Sequence, residues 1–288
     1  MSIGPEPSRV SPGSPRKDVV AVPSVRSGAP GSFPASPATV AAAVADVSAA
    51  GGYFGLDLGP VPGEPGWRPL TGLLADPATV RARVADMAGR LGTVETRVAA
   101  SILFQGLAAR FWSPSLGAAV AHDLLIDLAP RHVYWRAAAG GPLPLRAAHL
   151  EGWEVRDPAR ITGPLYRTVV TGLLEPLAET VRRVVPTAPG LLWGNAASAL
   201  VGTLLELGRH RPGLAAKAVA LGRELLGTGL LRGTGELAEP VPGHPLFARR
   251  SCCLYYRLPG GGMCGDCVLV DPGIRRERWA RAARESGR

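Results

Sequence analysis

The spacing of hydrophobic positions predicts a chain built mainly from helices. Val80, Val84 and Met87 lie three or four residues apart, which is the spacing of a helix with one buried face. Similar patterns predict helices over 38–50, 96–107, 115–128, 162–185, 193–207 and 213–226, and a short one over 235–238. A break at 111–114, which ends in proline, is expected to separate two of these helices.

Alternating apolar and polar residues predict a small antiparallel sheet in the middle of the chain. Its strands are expected at 132–136 and 143–147, joined by a turn at Gly140–Gly141, with a third segment at 153–155. Residues 51–69 alternate Gly and Pro with apolar residues, which predicts a packed loop with one short strand. The expected fold class is therefore mainly α (α+β), a helical body with a small antiparallel sheet.

The chain divides into four expected regions. Residues 1–35 are rich in Pro, Ser and Gly and have no periodic apolar face, which predicts a disordered tail. A capping residue followed by proline, at 36–37 and again at 76–77, marks a helix start, so the body is expected over 36–245. A cysteine-bearing segment follows at 246–270, and the basic residues 271–288 are expected to form a helix or tail.

Composition narrows the class of protein. With 288 residues and 46% hydrophobic content, the chain can bury a sizeable hydrophobic core. It does not need disulfides or a bound metal in order to fold. No basic start followed by an apolar stretch is seen near Met1, so we expect a cytoplasmic protein. The longest apolar stretches, such as 196–205, fall short of the ~20 residues that a membrane-spanning helix needs. Peripheral association with a membrane is left open.

The positive charge does not indicate nucleic-acid binding. The formal charge is +9, carried almost entirely by arginine. These arginines are dispersed and no stripe of aromatic and basic residues accompanies them, so nucleic acid is not an expected partner. The glycines at 260–265 spell a dinucleotide-type motif but lack its strand and helix context. The five histidines show no spacing typical of a metal site.

All four cysteines lie between residues 252 and 267, in the order Cys-Cys, ten residues, Cys, two residues, Cys. Thiolates in one loop are ligands for zinc or for iron–sulfur centres. Adjacent residues of an extended chain point to opposite sides, which favours two separated irons over one zinc ion, while zinc stays the alternative. Disulfides are disfavoured in a reducing compartment. Glycines at 260–262 and 265 either let backbone N–H groups approach the sulfurs or form a flexible turn.

The sequence around the cysteines resembles a known family. Arg-Arg-Ser-Cys-Cys-Leu-Tyr-Tyr-Arg-Leu-Pro-Gly at 249–260 and Cys-Gly-Asp-Cys at 264–267 are similar to the C-terminal signature of the FhuF-type ferric-siderophore reductases. A weaker likeness lies at 192–199. The resemblance implies a C-terminal iron–sulfur loop that holds a [2Fe–2S] cluster on Cys252, Cys253, Cys264 and Cys267.

The same resemblance implies an oxidoreductase. Its reaction would be the one-electron reduction of a ferric siderophore, from Fe(III) to Fe(II), which releases iron in the cytoplasm. The implied electron donor is a ferredoxin, a flavodoxin or a flavin reductase. The alternative is a non-catalytic siderophore-binding or biosynthesis-associated protein, in which a four-cysteine zinc or cluster site is only structural.

Five further residues are candidates for contacts with substrate or donor. Arg249, Arg250 and Arg257 lie close to the cysteines in sequence, where they can raise the cluster's potential or attract an anionic partner. Tyr256 is expected to pack over the cluster, with a place in a substrate groove as the alternative. Asn195 is expected to make a polar contact or to cap a helix. The arginines from position 275 onward are expected to form a solvated face.

Overall fold

The computed structural model of the chain describes residues 31–286, apart from 62, 64, 242 and 243. It is 58% helical and 12% strand, which confirms the predicted mainly α class with small sheets. The helices are α1 (Pro37–Ser48), α2 (Leu70–Ala75), α3 (Pro77–Arg90), α4 (Thr96–His122), α5 (Thr162–Tyr166), α6 (Glu175–Val184), α7 (Pro189–His210), α8 (Ala215–Leu226) and α9 (Pro272–Ser286). A π-helical stretch, Arg167–Leu174, joins α5 to α6. Short 3-10 turns lie at Gly52–Phe54, Pro158–Arg160, Pro212–Leu214, Gly229–Leu231 and Tyr255–Arg257.

The strands form three small sheets. They are β1 (Ser32–Pro34), β2 (Asp57–Leu58), β3 (Arg68–Pro69), β4 (Leu124–Ile126), β5 (Val133–Trp135), β6 (Leu145–Ala147), β7 (Gly152–Val155), β8 (Gly235–Val241) and β9 (His244–Arg249). One sheet has the antiparallel order β1-β7-β4, with Leu125 opposite Trp153. A second has the order β2-β6-β5-β3, in which β2 and β6 run parallel and the other pairs antiparallel. Strands β8 and β9 form a hairpin.

Helices α1 and α3 begin at the predicted capping residues. Ser36 Oγ accepts a hydrogen bond from Thr39 N at 3.0 Å. The Asp76 carboxylate accepts from the N–H groups of Ala78 and Thr79, each at 3.0 Å. Proline follows both caps and is tolerated there because the first helical N–H has no partner within the helix.

Helices α4 and α7 pack against each other in the core. Trp112 Nε1 of α4 donates to Ala196 O of α7 at 3.1 Å, and the hydroxyls of Ser113 and Thr203 are 3.1 Å apart. Helix α7 is long and apolar enough to cross a membrane, yet 72% of its most apolar window is buried inside the structure. An apolar helix that is largely buried in this way is typical of a protein core.

The predicted break at 111–114 is wrong, because residues 96–122 form one helix with Pro114 inside it. An interior proline costs about 3 kcal/mol, since it removes an N–H donor and crowds the preceding turn. Here every residue from Phe111 to Pro114 is buried, so packing outweighs the local preference. Helix α4 ends at His122, and the next residue, Asp123, has a φ of 50°, a left-handed conformation that Asp tolerates. Strand β4 follows, in place of the rest of the predicted helix.

Several strands differ from the prediction. Residues 153–155 form a strand, but it pairs with β1 and β4, so the predicted single sheet is two sheets. The loop at 51–69 contains two short strands, β2 and β3. The short helix predicted at 235–238 is β8, because four residues are too few for a helical period to decide. A Cβ at Gly235 would lie 2.2 Å from the Phe247 ring, so close pairing with β9 determines this segment.

Two described elements do not follow the expected boundaries of the four regions. Strand β1 lies within the predicted disordered tail, where Phe33 pairs with Glu154, while residues 1–30 lie outside the described residues. The β8–β9 hairpin runs across the expected boundary at residue 245 and leads directly to the cysteines. Helix α9 lies within 271–288, where a basic helix or tail is expected.

Candidate metal centre

The cysteine segment, residues 250–271, starts where the β8–β9 hairpin ends. Arg249 N donates to Asp266 O at 3.1 Å, and Arg250 N donates to Thr234 O at 2.8 Å. The first bond joins the last residue of β9 to the loop between the last two cysteines. Backbone hydrogen bonds therefore connect the beginning of the cysteine segment to the hairpin and to the loop between Cys264 and Cys267.

A left-handed residue turns the chain directly after the two adjacent cysteines. Leu254 has a φ of 67°, which is uncommon for a residue with a side chain. The turn directs the Leu254 N–H to Cys252 Sγ at 3.3 Å and the Tyr255 N–H to the Cys253 thiol. Because N–H donors favour the thiolate form, the backbone prepares both sulfurs for ligation.

Glycines return the chain from this turn to Cys264. Gly260 and Gly262 have φ angles of 70° and 67°, and a Cβ at Gly261 would lie 2.3 Å from Tyr255 O. The N–H contacts with sulfur described above come from residues 254 and 255 instead. These glycines therefore serve the turn, which is one of the two roles expected of them.

The four thiols gather in one neighbourhood. Cys253 Sγ and Cys264 Sγ are 3.6 Å apart, close to the ~3.8 Å between two thiolates on one tetrahedral metal with bonds of about 2.3 Å. Cys252 is near enough to Cys253 and Cys267 for their charges to interact. In the described part of the chain, no three or more His, Cys, Asp or Glu side chains converge on one ion position. A [2Fe–2S] cluster is held by four cysteine thiolates, and the four thiols brought into this neighbourhood match that donor set.

The pKa values of the cysteine thiols are shifted in different directions. A hydrogen bond between the two thiols lowers the pKa of Cys253 and raises the pKa of Cys264. Burial raises the pKa of Cys252. A smaller contribution from the Arg249 guanidinium lowers the pKa of both Cys252 and Cys253. Metal binding must displace these protons, and the nearby cation assists that step.

A line of buried polar groups ties the segment to α4 and α7. Arg249 Nη2 donates to Asn195 Oδ1. Asn195 Nδ2 donates to Ser101 O at 2.9 Å and to Ser101 Oγ at 2.8 Å, and Ser101 Oγ donates to Cys253 O at 2.7 Å. We call Arg249, Asn195 and Ser101 the buried polar chain, since each is at most 1% exposed.

Two of the candidate contact residues thus belong to the interior. Because Arg249 and Asn195 are buried, neither offers a surface to a substrate or donor that approaches from outside. Asn195 also lies well inside α7, which begins at Pro189, so it does not cap that helix. Both residues instead support the cysteine segment.

The other three candidates lie at the surface. Arg257 forms an ion pair with Glu95, just before α4, at 2.8 Å, and such an exposed pair contributes at most about 1 kcal/mol. Arg250 is exposed. Tyr256 is 46% exposed, so part of its side chain lies at the surface, and its packing over the cluster stays a prediction.

Two supporting residues leave no signal in the sequence. Ser101 is one of many small residues in α4, and only the fold brings it to Cys253. Arg275, expected on a solvated face, is half-buried and its Nη2 donates to Cys267 O at 3.0 Å and Val270 O at 2.8 Å. Arg275 thereby ties α9 to the end of the cysteine segment.

Apolar side chains are exposed along the segment and the start of α9. This apolar rim consists of Tyr255, Tyr256, Met263, Leu269 and Ile274, which are 38–54% exposed. Cys252 and Cys264 are half-buried, whereas Cys253 and Cys267 are buried. The centre therefore lies close to a surface whose exposed apolar groups suit contact with a partner.

Comparison with known proteins identifies the cysteine segment. Residues 249–269 match the family described as the FhuF 2Fe-2S C-terminal domain. The match confirms the predicted resemblance and the [2Fe–2S] cluster as cofactor. Cys253, Cys264 and Cys267 fit the family signature, and the individual ligand assignments stay predictions. No curated protein matches the chain.

Proposed function

We propose that this chain, which carries an FhuF-type 2Fe-2S domain at residues 249–269, reduces the iron of a ferric siderophore from Fe(III) to Fe(II). When bound, the cluster supplies the single electron that this change requires. Siderophore ligands hold Fe(III) far more tightly than Fe(II), so reduction releases the iron. The family match of the cysteine segment is the observation that carries the proposal.

The placement of the thiols supports electron exchange with a partner. Cys252 and Cys264 are half-buried and lie in the same segment as the exposed Tyr255, Tyr256 and Met263. A ferric complex resting on these side chains would come close to the sulfurs. Cys253 and Cys267 are buried, so water would have little access to a cluster at these two thiols.

The charge of the chain supports the same proposal. The net charge is +9, and Arg250 is exposed beside the cysteines, while the exposed Arg257 is paired with Glu95. Long-range attraction of this kind accelerates encounter with anionic partners. Anionic ferric siderophores and an acidic donor, such as a ferredoxin, a flavodoxin or a flavin reductase of the cytoplasm, are the partners we propose.

Anaerobic mixing tests the reaction. The loaded protein is reduced chemically, freed of reductant and mixed with ferric hydroxamate and ferric catecholate complexes. Visible absorption follows the cluster, and a coloured Fe(II) chelator measures released iron. We expect Fe(II) to appear in equal amount to the cluster oxidised with at least one class of complex. A reduced protein that stays reduced with every complex would refute the proposal.

A matched variant and a metal analysis separate this function from the structural alternative. Cys264→Ser is expected to lose the cluster's colour and the release of Fe(II), whereas full cluster occupancy in that variant would contradict the ligand assignment. A colourless protein that contains zinc and does not change on reduction would instead support a structural four-cysteine site.

A further inference from the structure

Arg249 carries a buried charge that forms no ion pair within the described residues. Its side chain is 1% exposed, and Nε and Nη1 have no hydrogen-bond partner within the described residues. Nη2 donates to Asn195 Oδ1, which is a neutral acceptor. A buried guanidinium without an anionic partner is strongly unfavourable. The two free N–H groups therefore call for an anionic acceptor.

The residues around Arg249 indicate that this anionic acceptor lies at the cysteines. Arg249 lies three residues before Cys252, at the point where α7 meets the cysteine segment. A Cβ at Gly194 of α7 would lie 2.0 Å from Ser251 Oγ and 3.3 Å from Arg249 Nη2. Ser251 Oγ is likewise buried with no partner in the described chain. Unpaired polar atoms thus collect near the cysteines, and most of them are donors, while the buried Asp266 Oδ2 is an acceptor.

The guanidinium is held in a fixed position. Asn195 Nδ2 donates to Ser101 O and Ser101 Oγ, which leaves Asn195 Oδ1 facing Arg249. Ser101 also donates to Cys253 O. One line of hydrogen bonds therefore fixes both the cation and the backbone of a predicted ligand, so their separation is set by the core helices.

We propose that Arg249 is the counter-ion of the [2Fe–2S] cluster, and that its free N–H groups donate to cluster sulfur and raise the reduction potential. The cluster is anionic and gains a further negative charge on reduction, so a fixed cation stabilises the reduced form more than the oxidised form. In this role Arg249 would contact the cluster and tune its potential, and it would not touch the substrate. The proposal rests on the cluster and is independent of the proposed reductase reaction.

A redox titration of the loaded protein tests this role. Chemical mediators set the potential, and visible absorption and the electron paramagnetic resonance signal measure the reduced fraction. In Arg249→Met we expect the ratio of reduced to oxidised cluster at a fixed potential to fall about tenfold, which is 59 mV for a one-electron couple. Arg250→Met removes the neighbouring, exposed charge and is the matched control, with an expected change below about twofold.

Two milder variants keep the test decisive if Arg249→Met does not fold. Arg249→Lys keeps the charge but loses the planar fork of donors, and Asn195→Ala releases the guanidinium. Both are expected to shift the ratio in the same direction by a smaller factor. The proposal is overturned if the variants of Arg249 and Asn195 that hold a full cluster titrate like the unchanged protein. The titration contains no siderophore, so a failure of the reductase reaction leaves its result unaffected.

Discussion

Replacement of Ser101 by alanine tests how the helical core holds the cysteine segment. The hydroxyl is fully buried, donates to Cys253 O at 2.7 Å and accepts from Asn195 Nδ2 at 2.8 Å. Ser101→Ala removes this donor without adding volume. The Cys253 carbonyl then loses its hydrogen bond to α4, and the backbone of a predicted ligand is freed.

The size of the effect follows from two opposing terms. A buried acceptor left without its donor costs about 1–3 kcal/mol. The higher helix propensity of alanine returns about 0.5 kcal/mol. The net loss is therefore about 1.5 kcal/mol, or roughly a tenfold change in an equilibrium constant. We expect this loss in the free energy of unfolding, together with faster release of iron.

Urea unfolding and iron transfer to a chelator measure these two quantities. The matched control is Ser198→Ala, because Ser198 of α7 accepts from Gln105 Nε2 of α4 at 3.3 Å and lies between the same two helices. We expect the control to release iron at the unchanged rate. Equal rates of iron release from the Ser101 and Ser198 variants would refute the claim that this hydrogen bond holds the segment.

Two further variants probe the packing around the segment. Gly194→Ala places a methyl group 2.0 Å from Ser251 Oγ and is expected to cost about 1–3 kcal/mol in urea unfolding; Gly202→Ala, with nothing within 4 Å on the same helix, should be neutral or stabilising, and equal stabilities would contradict the close approach. Arg275→Met removes the donor to the last carbonyls of the segment and is expected to release iron faster, by about 1–3 kcal/mol in barrier. The exposed Arg278→Met is its control, and identical release rates from both would show that α9 does not hold the segment.

The elements that sequence predicts best are those with a local cause. Ser36 and Asp76 cap helices through their own neighbours, and the periodic face of α3 is visible over a few turns. The continuous helix through Pro114 is not predictable in this way, because it is stabilised by contacts with α7. The β8–β9 hairpin is missed for the same reason, since the partner strand decides the conformation of β8.

The sequence likewise predicts only part of the candidate site. The cysteine spacing and its neighbours predict the chemistry, and the family match confirms the cofactor. The supporting hydrogen bonds join residues that are separated by 94 and by 152 positions in the sequence. No local sequence pattern can therefore predict them. Arg249 is placed near the cysteines by sequence, but its burial follows from the hairpin and from α7. The role of Arg275 depends in turn on how α9 folds back.

The buried polar chain also determines what can be transferred to another protein. Residues 249–269 contain every cysteine, yet the groups that immobilise Cys253 and Arg249 belong to α4 and α7. If these residues were grafted onto a foreign scaffold, a carbonyl and a guanidinium would be stranded without partners. The cysteine-bearing residues thus depend on hydrogen bonds from the helical body. We do not expect them to hold the same structure in another protein.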